Sequence, residues 1–254
     1  MALITNNKLA DLTPRWAEFR GFSLLFDNPG DSLAVRGALA CLVADGDLAF
    51  YRGVREALQR IDLESLAVRH LFFPLAPRSY HVTACDGGNA DNVEGVAEHY
   101  RDALRRFLRE LPESVCADNP FAQLMNESTL VRKRDWGIRL AFDRLANWSG
   151  ISIVACLKAA DPDAAARLDA FASARRLLCG QLSAAFGIQP PACFVPHITL
   201  GYFANAERGQ ALGAPPASWQ ETFRERLDAL VLSFDHMSLY GFTDMESFFA
   251  RAKF

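Results

Sequence analysis

A positive balance of charge is missing from this chain. Its 254 residues carry 27 Lys and Arg against 30 Asp and Glu, a formal net charge of −3. Proteins that wrap long nucleic acid displace counterions with a basic surface, so no extended nucleic-acid surface is expected. A small nucleotide or a single RNA end, which a few local groups can hold, stays open. Long apolar runs are missing too: stretches such as Ile151 to Leu157 fall far short of the roughly twenty residues that span a bilayer, and no membrane partner is expected. Met1 to Ala10 has no basic start followed by an apolar run, unlike a secretory signal, which leaves a cytoplasmic location as the default expectation. The cysteines at 41, 85, 116, 156, 179 and 193 form no Cys-x-x-Cys pair. Neither a zinc site nor a disulfide framework follows from them, and reduced cysteines, mostly in the core, are expected. There is no His-x-x-x-His pair and no tight carboxylate cluster to recruit a metal. The one Gly-rich stretch, Asp86-Gly87-Gly88-Asn89, lacks the Lys-Ser/Thr ending of a phosphate loop and reads as a turn. No cofactor is expected.

What is present is an ordinary half-apolar composition, enough for one large domain or two fused lobes. Arg20 to Phe26 reads as a strand ended by the turn signal Asp27-Asn28-Pro29-Gly30. Leu39–Val43 and Leu48–Tyr51 read as a hairpin around Asp45-Gly46-Asp47. Gly53 to Ile61 reads as a short helix. Further on, Leu71–Phe73 and Ser79–Cys85 read as strands, and Asn92 to Leu111 as an amphipathic helix. A mixed, partly looped middle follows to Gly137. Strands are expected at Arg139–Phe142 and Ser152–Leu157 around Asn147-Trp148-Ser149-Gly150. The best helix runs from Pro162 to Phe186, capped by Asp161 and closed by Gly187. Cys193 to Phe203 reads as a strand. A helix then opens on the capping box Ser218-Trp219-Gln220-Glu221, ends near Leu230, and is followed by strands at Val231–Phe234, Met237–Tyr240 and Phe248–Phe254. Each half pairs one long helix with one His-x-Thr strand, a hint of duplication.

That pair of motifs carries the chemistry. His81-Val82-Thr83 and His197-Ile198-Thr199 both sit in β-branched, alternating runs, and two such motifs arise by accident about one time in a hundred. Side chains alternate across a strand, so each His shares a face with its Thr. In-line cleavage of a phosphodiester needs a base on the attacking oxygen and an acid on the leaving oxygen. Histidine, titrating at about 6.5 when free, can serve as either. A Thr hydroxyl beside it can donate to a non-bridging phosphate oxygen, where charge builds in the transition state. No metal is required by this scheme.

Tyr80-His81-Val82-Thr83 together with Pro196-His197-Ile198-Thr199-Leu200 resembles the two-histidine (2H) phosphoesterase superfamily, which includes the bacterial 2′-5′ RNA ligase-like proteins and the cyclic nucleotide phosphodiesterases. The motif match covers about a dozen positions. The order of elements from Ser79 to Phe254 is compatible with the family, and Ala84 stands where many members have a larger apolar residue. The resemblance implies an α+β fold: a single bilobal domain over 1–254, with two antiparallel sheets flanked by helices around a central cleft and one motif in each lobe. It also implies catalysis by His81 and His197, phosphate binding by Thr83 and Thr199, and Tyr202 close to substrate, five residues after the second histidine. The activity it implies is that of a metal-independent RNA 2′,3′-cyclic phosphodiesterase-like hydrolase, acting on a cyclic phosphate or a short 2′-5′ or 3′-5′ nucleotide linkage. The 80 residues before His81 are longer than in compact members, and residues 1–65 are set apart as an N-terminal elaboration.

Other residues weigh less. Tyr80 can stack on a base or fill a strand, and Arg78 can meet a phosphate or stay on the surface. Arg132-Lys133-Arg134 reads as a solvated loop, and His70, His99 and His236 as structural. Two rivals remain. One is a module of the same fold that binds a nucleotide or RNA end without turning it over. The other is a scaffold in which the motifs are accidental and the imidazoles face away from any common cleft.

Overall fold

The computed structural model describes residues 3–12, 15–28, 34–36, 38–42 and 48–252. The expected turn at Asp45-Gly46-Asp47, Val43, the Pro29-Gly30 end of the earlier turn, and Lys253 and Phe254 of the last strand lie outside the described residues. In chain order, β1 (Leu9–Asp11) and β2 (Arg15–Trp16) form a small ladder, followed by β3 (Gly21–Phe26), β4 (Ala34–Arg36) and β5 (Leu39–Cys41). Helices α1 (Ala49–Arg60) and α2 (Leu63–His70) lead to β6 (Phe72–Pro74), β7 (Thr83–Asn89), α3 (Glu98–Arg109), α4 (Pro120–Glu127) and α5 (Thr129–Arg132). The hairpin of β8 (Ile138–Trp148) and β9 (Ser152–Ala159) precedes α6 (Pro162–Phe186), β10 (His197–Phe203), α7 (Ala206–Leu212) and α8 (Ala217–Leu227). Strands β11 (Leu232–Phe234), β12 (Met237–Phe242) and β13 (Phe248–Arg251) end the order.

Two antiparallel sheets carry the molecule. One has the order β4-β5-β13-β12-β3-β7, the other β11-β8-β9-β10-β6. The fold is α+β and bilobal, with β7 and its motif in the first sheet and β10 and its motif in the second. Helix α6 packs on β7 of one sheet and on β8 and β9 of the other. Its buried stripe runs Ala164, Phe171, Arg175, Leu178, Leu182, Phe186, the 3–4 residue spacing of one helix face. Asp161 accepts from the Ala164 amide at 2.8 Å, and Gly187 closes the helix at φ 77°, where a Cβ would be strained. Among the described residues no helix is long and apolar enough to cross a membrane.

Several local expectations are corrected. Leu48–Tyr51 is not a strand: α1 begins at Ala49, because Phe50, Tyr51, Val54, Ala57 and Leu58 bury one helical face. The looped middle holds α4, whose cap Asn119 accepts from Ala122, and α5. The Ser218 capping box is not used. Helix α8 starts one residue earlier after Pro216, with no side-chain cap. Asp86-Gly87-Gly88-Asn89 is strand rather than turn, for a reason that shapes the cleft. The halves are not separate units either: β6 adds to the sheet of β10, while β12 and β13 add to the sheet of β7. Of the stretch set apart as 1–65, Gly21–Phe26 is an interior strand, fully buried between β12 and β7.

Candidate active site

The first motif enters its sheet later than the alternation suggests. His81 lies two residues before β7, after a short 3-10 turn at Pro77–Ser79. The Phe26 amide nevertheless donates to the Val82 carbonyl at 3.0 Å, so the ladder already holds the backbone there. Val82 is fully buried, while His81 and Thr83 are only partly covered, as alternation requires.

Past Thr83 the alternation breaks twice. Leu25 pairs with Thr83 and Leu24 with Cys85. Then Ser23 pairs with Asp86 and Gly21 with Asn89. Strand β7 therefore takes one extra residue at each of two bulges. A bulge moves everything after it to the opposite face, so residues 81, 83, 86 and 89 all become the partly exposed ones, and the residues between them are buried. The glycines serve the second bulge: a Cβ on Gly87 would meet the Phe22 ring at 2.4 Å and the Phe22 carbonyl at 2.5 Å. Gly-Gly after Asp reads locally as a turn, so no sequence pattern marks Asp86 as a cleft residue.

The second motif repeats the construction. In β10, His197 pairs with Cys156 and Thr199 with Val154, but Gly201 already pairs with Ile153 and Tyr202 with Ser152. One bulge again lies between the Thr and the residue five after the His. Asp86 in one lobe and Tyr202 in the other are therefore turned to the same side as their motifs. His81, Thr83, Asp86, His197, Thr199 and Tyr202 all line one cleft of about 740 Å³, a size suited to a small ligand. The scaffold reading, in which the imidazoles face unrelated surfaces, does not hold.

The imidazoles are oriented alike. His81 Nδ1–H donates to the carbonyl two residues upstream, Ser79, at 2.7 Å, and His197 Nδ1–H donates to Val195 at 2.8 Å. A carbonyl only accepts, so each neutral ring keeps its proton on Nδ1 and leaves Nε2 free to take or give one. Each ring also rests on an aromatic: His81 on Phe248 (4.4 Å between centroids) and His197 on Trp148 (4.1 Å). Burial pulls the His81 pKa down to about 4, against the Ser79 bond, and the neighbouring His197 adds to the depression. Burial also lowers His197, but the Val195 bond and the charge of Asp86 oppose it. Asp86 is itself raised by burial, and the charges of Arg175, His197 and Lys8 hold it back.

Arg175 sits in the buried stripe of α6 and is 4% exposed. Its Nε donates to the carbonyl of Ala84, the residue inside the first bulge, at 3.0 Å. Its Nη2 donates to Pro191, in the segment leading to β10, at 2.8 Å. The guanidinium thus ties the two motif-bearing segments together. No sequence signal marked it, because a lone arginine in an apolar stripe looks like the solvated edge of the helix.

The other expected residues are not in the cleft. Tyr80 alternates away from His81: it is 1% exposed, packed against the Tyr51 ring at 5.8 Å, and its hydroxyl has no hydrogen-bond partner among the described residues. Arg78 is exposed and pairs with Glu246 at 2.9 Å. Neither lines the cleft: Tyr80 is buried on the other side of the strand, and Arg78 lies on the surface beside Glu246. His70 bonds the Arg208 carbonyl, His99 packs on Tyr100, and His236 lies 3.2 Å from Asp27, all outside it. Among the described residues no three His, Cys, Asp or Glu side chains group to hold a metal ion.

Trp148 ends β8 just before a tight turn in which Ser149 and Gly150 have φ of 54° and 73° and the Ile151 amide bonds the Trp148 carbonyl. The indole lines the cleft and is 37% exposed, which leaves ring surface for a flat ligand group. Base–aromatic stacking is worth about 1–3 kcal/mol. Trp148→Ala is therefore expected to raise KM for a nucleotide substrate about tenfold with little change in kcat, and steady-state kinetics at two pH values check it. An equal fall in kcat instead would mean that the indole acts by holding His197.

No protein-family profile matches the sequence, and no curated protein matches it. Among solved structures, the chain shares its fold with a conserved protein of unknown function from Agrobacterium tumefaciens (TM-score 0.53, 14% identity, 95% of this chain and 88% of that one). Weaker similarity extends to Escherichia coli LigT complexed with phosphate (TM-score 0.42, 15% identity, 93% of this chain and 96% of that one). LigT complexed with 3′-AMP is similar to the same extent (TM-score 0.41, 16% identity, 93% and 97%).

Proposed function

We propose that the cleft hydrolyses a phosphodiester, either a cyclic phosphate or a short 2′-5′ or 3′-5′ nucleotide linkage, by acid/base catalysis between His81 and His197. The observation that carries the reading is the convergence of two identically oriented His-x-Thr units on one cleft. His81, kept neutral by burial, takes the proton of the attacking water or ribose hydroxyl on Nε2. His197, supported by the Asp86 charge, gives its Nε2 proton to the leaving oxygen. Thr83 and Thr199 donate to the non-bridging oxygens as negative charge builds on them. The acid/base pair supplies both proton transfers, so the reaction is expected to proceed in EDTA.

The test is hydrolysis of 2′,3′-cyclic nucleotides and of 2′-5′ and 3′-5′ dinucleotides in EDTA. Product is expected from at least one class. A tight complex from which every ligand is recovered intact would replace this reading with the binding-only one. The pH profile of kcat/KM adds a second check, because it reports the free protein. Activity rises as His81 loses its proton near pH 4, and falls as His197 loses its own below the usual 6.5. The bell is therefore expected on the acid side of pH 6.5, and an optimum above pH 8 would contradict the assignment of roles.

A further inference from the structure

The N-terminal segment bridges the two sheets beside this cleft. On the side of the second sheet, the Thr5 and Asn6 amides donate to the Ala204 carbonyl at 2.7 and 3.0 Å, and Asn6 Nδ2 donates to Phe203 at 2.8 Å. One residue later, Asn7 Nδ2 reaches both carboxylate oxygens of Asp91, just beyond β7 of the first sheet, at 2.7 Å. Lys8 follows, its carbonyl accepting from Ala17, and the Phe19 amide then bonds the Thr243 carbonyl of the first lobe. The segment is thus clipped to both lobes on either side of Lys8, whose side chain lines the cleft.

Lys8 lies near the two residues that the bulges turn toward the cleft. Its Nζ lies 4.6 Å from the centre of the Tyr202 ring and 5.3 Å from that of Phe19. Its charge is also felt by Asp86. Asp86 and Tyr202 are the equivalent positions five residues after each histidine, so the ammonium stands where the cleft-facing sides of the two motif strands meet. Aromatic faces hold a cation in place without neutralising it, and a positive charge so held is available to an anion.

We propose that Lys8 is the cation of this site, delivered by an N-terminal strap that clips the two lobes together, and that it binds the anionic phosphate group of substrate and product. The proposal rests on reading the cleft as a phosphoester site and adds to it a residue far from either motif. Lysine acts as a point charge toward phosphate; arginine keeps that charge on a longer, planar group that can also stack on an aromatic face.

The test uses the full chain and inorganic phosphate, followed by calorimetry, so it needs no turnover. Wild type is expected to bind phosphate. Lys8→Gln is expected to bind it at least about tenfold more weakly and Lys8→Arg within about threefold of wild type, the range of a charged hydrogen bond. Asn7→Ala, an exposed change that frees the strap from Asp91 and keeps Lys8, is expected to weaken phosphate by about threefold. Equal phosphate affinity in Lys8→Gln and wild type, or no phosphate binding by wild type, overturns the role of Lys8. Unchanged affinity in Asn7→Ala overturns the strap. The two readings separate cleanly. If hydrolysis is the part that fails, phosphate binding is still lost in Lys8→Gln; if Lys8 is, Lys8→Gln turns over diesters and binds phosphate as wild type does.

Discussion

Replacing either His81 or His197 by alanine is expected to lower kcat for a cyclic phosphodiester by about three orders of magnitude, within the ~10²–10⁴ range of positioned acid/base groups. The double variant is expected to be little worse than either single one, because two groups that act on one proton-transfer sequence are not additive. The geometry supplies a sharper control. Each imidazole does two things: Nδ1–H fills an upstream carbonyl, and Nε2 does the chemistry. Asparagine offers an N–H close to the position of Nδ1 and nothing at Nε2. His81→Asn and His197→Asn are therefore expected to melt within a degree or two of wild type and to be as inactive as the alanine variants. Recovery of more than about a tenth of wild-type kcat in either would show that the ring serves only to fill the carbonyl. Full activity in His81→Ala would remove the acid/base scheme altogether.

The second large effect falls on a residue that touches no substrate. Arg175→Leu removes the donors to the Ala84 and Pro191 carbonyls and the charge that opposes the burial of Asp86. An unfilled buried acceptor costs about 1–3 kcal/mol, and the Arg175 charge also favours the ionised form of Asp86 from nearby. Asp86 is only partly buried, so about 2–4 kcal/mol of lost stability is expected in a urea titration with little change in slope. The function should change in kind as well. Without Arg175 the Asp86 carboxyl is pushed further up and gives up its charge more readily, so His197 loses its support. The alkaline-side limb of the kcat/KM profile is then expected to move to lower pH. A variant that loses stability and keeps that limb in place would make Arg175 a folding residue only. Arg175→Lys, which retains the charge and can fill one carbonyl, is expected to restore most of the limb and only part of the stability.

Legibility in the sequence followed the reach of each signal. Helix α6 could be read to the residue, because Asp161, Pro162 and Gly187 act within one turn of the ends they define. The His-x-Thr pairs could be read because a Val or Ile between the two polar residues is enough to fix alternation. Whatever depended on the neighbouring strand could not. The bulges of β7 and β10 come from the register against β3 and β9, and no local pattern announces that residue 86 has changed sides. The glycines that permit this carry a turn signal, since Gly-Gly after Asp satisfies the rules for one. Lys8 is unreadable for the same reason: its partners are Phe19 and Tyr202, and the latter is 194 positions away. Tyr80 was misjudged by closeness to His81 in sequence, where strand parity sends it to the other side.

The crossing of β6, β12 and β13 between the sheets has a bearing on how this molecule reaches its native state. Strand β3 pairs with β12 along its whole length, and the hydroxyl of Tyr240 donates to Asp27 across 213 positions. The sheet that carries His81 therefore cannot close until the C-terminal strands have been made, and the sheet that carries His197 needs β6 from ahead of His81. Contacts so distant in sequence make folding slow and late. On a ribosome, neither lobe could be finished before the other was nearly complete. A chain cut between the motifs would then yield two fragments, each insoluble alone, that regain structure and activity only when refolded together.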